Sequence, residues 1–253
     1  MVSLIPISDA NPTRRFPAVT IGLIVANVLA FFREPDFGGG TIDASRYFFA
    51  NAPVPCQLQA TCPAGVRIPT EDGFAAILIP DRGLGSFLVS VVVSTFLHAG
   101  FLHIAGNMLF LWVFGNNVED FLGPVKYLLF YLLGGIAASF AHIVVNLGDV
   151  VPSVGASGAV AAVMGAYIVL FPHARVRVLV PIFIFFMTQM SAWAVLGLWF
   201  VYQFIIGAQA STEATSVAWM AHVGGFVFGV AAIYLVGGRP HRPAPLWRPG
   251  WGN

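Results

Sequence analysis

Ser157, His222, His103 and Asn107 stand in otherwise apolar stretches, and their types are those that acyl transfer needs. A serine hydroxyl is a weak nucleophile until an adjacent base takes its proton, and a neutral imidazole titrates near working pH. Ser157 lies in Gly155-Ala156-Ser157-Gly158, after a loop and at the start of a helical run. Free backbone N–H groups and the helix dipole favour negative charge there, as an oxyanion requires. His103 and Asn107 are four residues apart and so share one helical face, from which both can donate to that oxyanion. The other reading of this pair is interhelical hydrogen bonding with no part in chemistry. His98 falls roughly 140° away from His103 on a helix of about 3.6 residues per turn and is assigned to the loop-to-helix junction. His142 has no evident partner and is read as structural.

The elements that must position these groups follow from composition. Of the 253 residues, 58% are apolar and only 9% charged, with a mean hydropathy of +0.83. Soluble domains carry about 25% charged residues, so this chain is expected to live in a bilayer. A net charge of +1 offers no basic surface for nucleic acid. A bilayer core needs roughly 20 apolar residues per helix. The stretches Phe16 to Phe32, Leu102 to Val118, Val125 to Asn146, Gly155 to Phe171, Leu179 to Ala208 and Val217 to Gly237 meet or approach this. The expected fold is therefore an all-α polytopic membrane protein of six transmembrane helices. Residues 1–15 form an N-terminal segment, 16–237 the membrane domain and 238–253 a tail. The first apolar run is followed by no small-residue cleavage site and is read as a retained helix.

Residues 33–98 form a long first loop, and its β-branched run Phe87 to Leu97 is too short to span. That run is counted as loop, lying on the membrane surface or against the bundle. With six spans, Arg14, Arg15, Lys126, Arg175, Arg177, Arg239, Arg242 and Arg248 share one side, which the positive-inside rule makes cytoplasmic. Both termini are then cytoplasmic and the first loop extracytoplasmic, with the plasma membrane as the expected location. The loops around Asp149 and Glu213 lie on the outer side. Cys56 and Cys62, the only cysteines, fall in the first loop, and a disulfide is expected over two unbridged thiols.

Topology brings the polar groups to one depth, because the second, fourth and sixth spans all run inward from the outer face. A helix starting near Thr215 would put His222 on the order of 10 Å below that face. Ser157, Ala161 and Gly165 form a stripe of small side chains, and His222, Gly225, Gly229 and Ala232 form another. Such stripes let transmembrane helices pack backbone to backbone. Gly-x-x-x-Gly alone is a packing motif; here each stripe begins with a residue able to do catalysis.

These residues resemble the rhomboid family of intramembrane serine proteases. The resemblance rests on His98-Ala-Gly-Phe-Leu-His103-Ile-Ala-Gly-Asn107, on Gly155-Ala156-Ser157-Gly158, on Ala221-His222-Val223-Gly224-Gly225, and on Glu119 and Gly123 in the following turn. It implies a rhomboid-like bundle with a Ser157–His222 catalytic dyad. It further implies an oxyanion site of His103, Asn107 and the Ser157 N–H, acting on single-span transmembrane substrates within membrane lipid. No cofactor or metal is implied. Two positions depart from the family. Val89 and Ser90 stand where many members carry Trp-Arg, and Ala161 stands where many carry a tyrosine packed on the catalytic histidine.

A transporter would want inverted repeats or paired broken helices, which are not evident. A zinc protease would want His-Glu-x-x-His, and an aspartyl protease would want paired aspartates within spans; neither is present. The nearer rival is a proteolytically inactive rhomboid-like binding factor, which would be expected to have lost Ser157 or His222.

Overall fold

The computed structural model describes residues 5–70, 73–181, 185–210 and 218–240. The loop around Glu213 and the tail residues Arg242 and Arg248 lie outside the described residues. In chain order the elements are β1 (Ile5–Asp9), α1 (Ala18–Phe31), α2 (Ile42–Asn51), β2 (Gly65–Thr70), β3 (Gly73–Leu78), α3 (Leu84–Ser94), α4 (Phe101–Leu122) and α5 (Pro124–Val145). There follow α6 (Ser157–Leu170), β4 (Arg175–Pro181), β5 (Phe185–Ser191), α7 (Ala192–Ala210) and α8 (Trp219–Leu235).

At the centre stands α6, in contact with α4, α5, α7 and α8. Twelve of its fourteen residues are buried, as in a helix that is apolar all round and packed on every side. Its glycines and alanines set how near the neighbours come. A Cβ added at Gly225 would strike the carbonyl oxygen of Gly158, one at Gly229 that of Ala162, and one at Gly165 that of Phe226. Helices α6 and α8 therefore meet backbone against backbone through Gly158, Ala162 and Gly165, a row that shares only Gly165 with the expected Ser157, Ala161 and Gly165 stripe.

The expected fifth span differs. Helix α7 begins at Ala192, not Leu179, because β4 (Arg175–Pro181) and β5 (Phe185–Ser191) pair antiparallel, with Arg175 opposite Ser191. Strand β1 adds to its other side, Asp9 opposite Val176. Val176, Val178 and Val180 are buried while Arg175 and Arg177 are exposed, the two-residue period of a half-buried strand. Summed hydropathy cannot sense that period. With a second hairpin of β2 and β3 in the first loop, the all-α expectation is corrected to a mainly helical protein with two small sheets.

The first loop is also more ordered than expected. The run counted as loop is helix α3, whose Phe87 and Val91 pack on Ile143 of α5; tertiary burial overrides the weak helix propensity of its valines. Phe49, Val54, Ile77 and Ile79 form a second small core with Cys56, which is disulfide-bonded to Cys62. By length and apolar content α5 alone among the described residues passes as a full membrane crossing. Helices α1, α6, α8 and residues 192–205 of α7 are shorter apolar helices.

At the end opposite this loop, polar groups pair. Glu119 accepts from the N–H groups of Val19 at 2.9 Å and Thr20 at 2.8 Å, and from the Thr20 hydroxyl at 2.7 Å. It thereby satisfies the orphan donors at the start of α1. Asp9 Oδ2 accepts from Tyr167 at 2.6 Å and from Asn117 at 2.8 Å, tying β1 to α6 and α4. Burial pushes the Asp9 carboxyl up to about 6, against the downward pull of those bonds.

Two outcomes follow for thermal unfolding in detergent. Gly229→Leu should lower the midpoint, since overpacking costs about 1–3 kcal/mol and here meets backbone. Gly22→Ala, on an α1 face with no atom within 4 Å, should hold or raise it; equal behaviour of the two variants would refute close α6–α8 approach. Because the Asp9 carboxyl is raised when folded, its stabilising contribution is full below about pH 4 and is lost as pH rises through about 6. The wild-type midpoint should fall between pH 5 and 7.5, and Asp9→Asn should shrink that fall.

Candidate active site

Ser157 is the first residue of α6, and His222 lies in the first turn of α8. The glycine-limited approach of the two helices brings Ser157 Oγ and His222 Nε2 to 2.8 Å. Since α8 begins at Trp219, His222 lies about 5 Å along its axis, rather than the 10 Å expected of a longer helix.

The turn before Ser157 is held open by Gly155. Its N–H donates to the Ser94 carbonyl at 2.9 Å, and its φ of +132° suits glycine. A Cβ there would lie 3.0 Å from His103 Nε2 and 3.4 Å from Ser157 Oγ, so His103 and Ser157 flank the same small space. The Ala99 N–H donates to His103 Nδ1 at 3.3 Å, which leaves the ring proton on Nε2, the nitrogen beside that space. Asn107 is buried one turn further along α4, and its Nδ2 finds no hydrogen-bond partner among the described residues. The first N–H groups of α6 have no side-chain cap and, by position, no intrahelical acceptor. Donors without acceptors thus lie at the start of α6 and one turn beyond His103 on α4, and buried donors are rarely left so without reason. A cleft beside Ser157 is walled by Gly135, Ala138, Ser139, Gly158, Ala218 and Ala221.

His98 sits at the loop-to-helix junction as expected, fully buried, its ring 5.2 Å from that of His103. Its N–H donates to Glu34 Oε1 at 3.0 Å. Burial holds the His98 ring down at about 3, with His103 adding to the effect, and pushes the Glu34 carboxyl up to about 7 against its bond to His98. The His98 ring is therefore neutral near neutrality, while the Glu34 carboxyl titrates close to it. Val89 is exposed and Ser90 donates to the Phe87 carbonyl within its own helix at 2.7 Å. The loop is tied down instead where Glu34 accepts from the His98 N–H and where the Cys56 N–H donates to the Asp149 carbonyl at 3.0 Å. His142 does have a partner: Asn146 Nδ2 donates to its Nδ1 at 3.3 Å.

Sequence reasoning missed two residues of α7. Gln203 Oε1 lies 2.7 Å from His222 Nδ1, and the Trp199 ring lies 5.7 Å from the His222 ring, centroid to centroid. An aromatic ring from α7 thus stands against the histidine in place of one at Ala161, which is buried within α6. A signal was available. Trp199 and Gln203 share a face at four-residue spacing, and a strongly polar side chain inside an apolar run is a functional candidate.

A half-buried serine–imidazole pair at the ends of two helices of an apolar, mainly helical bundle is the arrangement that the rhomboid resemblance implies. The chain matches the Rhomboid domain family over residues 86–239 and belongs to the rhomboid family. It is 31% identical over 151 residues to Rhomboid protein 1, mitochondrial, of Saccharomyces cerevisiae, covering 56% of this chain and 40% of that protein. It is 32% identical over 143 residues to the human presenilin-associated rhomboid-like protein, mitochondrial, covering 55% and 36%. Over 70 residues it is 44% identical to Rhomboid protease GluP of Bacillus subtilis, covering 28% and 13%. The matches thus span 40% or less of these relatives' own lengths. Two of the three are mitochondrial proteins, which overturns the expected plasma membrane with cytoplasmic termini; what stands is a helical membrane protein.

Proposed function

We propose that this chain is an intramembrane serine endopeptidase cutting single-span transmembrane proteins near the membrane face that carries its long first loop. The observation that carries the reading is the 2.8 Å contact of Ser157 Oγ with His222 Nε2. The match to a relative named as a protease supports it. In this reading residues 16–237 cross the membrane six times, flanked by residues 1–15 and 238–253.

Each step balances. His222 Nε2 takes the hydroxyl proton as Ser157 Oγ attacks the scissile carbonyl carbon, and the carbonyl electrons move to oxygen. The Ser157 N–H, His103 Nε2–H and Asn107 Nδ2–H receive that charge. The imidazolium then protonates the leaving amine as the C–N bond breaks, and water repeats the sequence on the acyl-enzyme. A substrate helix must unwind first, because its carbonyls are tied into i to i−4 bonds. The small residues around Ser157 suit a small side chain at the cut.

Purified protein reconstituted with a generic single-span substrate tests the reading. Ser157→Ala and His222→Ala should each lose several orders of magnitude in turnover while still inserting and folding. His103→Ala and Asn107→Ala should each lose about 10²–10³ in turnover with less change in KM. Turnover unchanged in Ser157→Ala would refute the assignment, and an inert wild type would favour the binding-factor reading. Replacing Gly and Pro by Leu or Ala near the first-loop end of the substrate span should slow cleavage, since Gly lowers unwinding cost by about 1 kcal/mol and Pro by about 3. Products mapped by mass spectrometry to the opposite half would contradict the mechanism.

A further inference from the structure

We propose that Gln203 is a positioning residue that makes the site a three-membered relay, Ser157–His222–Gln203, with a neutral amide in the third place. The inference rests on the peptidase reading for its consequence and on geometry for its content. Gln203 is buried at 3% exposure, in a helix whose neighbours at that level are Trp199 and Phe200. A primary amide has no reason to be there unless its polar atoms are used. Its Oε1 lies 2.7 Å from His222 Nδ1, while its Nε2 donates to the Trp199 carbonyl at 3.4 Å. The second contact selects the amide orientation. With nitrogen turned to a carbonyl oxygen, which can only accept, oxygen is left to face the imidazole.

That orientation has a chemical consequence. An amide oxygen only accepts, so His222 Nδ1 must carry the proton, and Nε2 is left with the lone pair that faces Ser157. The opposite tautomer would put a proton on the nitrogen that must receive one, and the serine could not be deprotonated. Gln203 thus holds His222 in the one neutral form able to act as base. The Trp199 ring lies on the histidine from the same helix face, 5.7 Å between centroids, and limits rotation of the imidazole out of line. An amide cannot neutralise the imidazolium as a carboxylate would. Its contribution is orientation and tautomer, not charge.

The test uses full-length protein in lipid nanodiscs with 15N-labelled histidine. In wild type, His222 should show the nitrogen shifts of a single Nδ1–H tautomer. In Gln203→Leu, which removes the acceptor and keeps the bulk, it should show a mixture. Turnover should fall on the order of 10-fold to 100-fold, the loss typical when a partner orienting a functional histidine is removed, with KM within about twofold. Gln203→Glu, which restores an acceptor at the same reach, should recover the single tautomer and most of the turnover relative to Gln203→Leu at a similar thermal midpoint. A Gln203→Leu protein with the wild-type tautomer and turnover would overturn the proposal, as would failure of Gln203→Glu to recover either. The tautomer is read without substrate, so an inert wild type would count against the peptidase reading and leave this measurement decisive for Gln203.

Discussion

Everything in this molecule depends on how closely α6 and α8 approach. Between helices in lipid there is no hydrophobic driving force of the kind that packs a soluble core, so contact has to come from van der Waals fit. Glycines at 165, 225 and 229 remove the side chains that would hold the two backbones apart. The functional hydroxyl and imidazole need no long side chains to meet, since the backbones have already been brought within reach. The same approach buries α6 on every side, and the turn at Gly155 is fixed from outside by its bond to Ser94. The Ser157 hydroxyl, on the first residue of a helix packed on all sides, is thereby placed by the fold itself.

The two ends of the bundle differ in how far their polar groups are paired. Away from the first loop, Glu119 caps α1 and Asp9 joins Tyr167 and Asn117, so donors and acceptors are matched across elements distant in sequence. Toward the first loop, the Asn107 amide nitrogen and both ring nitrogens of His98 are buried without partners among the described residues. Matched groups stabilise; unmatched donors cost stability unless something arrives to use them. The pairing at the far end is not complete either, since the Tyr127 hydroxyl beside Gly115 is also buried without a partner among the described residues.

How much of this was legible in the sequence depended on whether the signal was local. Ser157, His222, His103 and Asn107 could be found because a polar residue in an apolar run stands out, and the small stripes beside two of them were readable by period alone. Helix ends were mostly read to within a few residues for the same reason. The pair of strands β4 and β5 was not, since the valines of β4 raise hydropathy as much as a helix would and its other partner, β1, lies some 170 residues earlier. Helix α3 was missed because its support comes from Ile143, on another element. Gln203 was visible as an oddity, but its meaning required knowing that α7 lies against α8. Tertiary contacts, not propensity, decided each of these.

The pairing of β1 with β4 also has a consequence for synthesis. Residues 5–9 leave the ribosome some 170 residues before the strand that completes them, 175–181, and β5 seals β4 only after that. At about 5–20 residues per second the wait is on the order of ten seconds or more. Throughout it, the Asp9 side chain also lacks Tyr167, its partner on α6. Five helices, α1 to α5, therefore have to be made and α6 laid down before β1 can be closed, so assembly of this sheet reports that the helix carrying Ser157 has already been made.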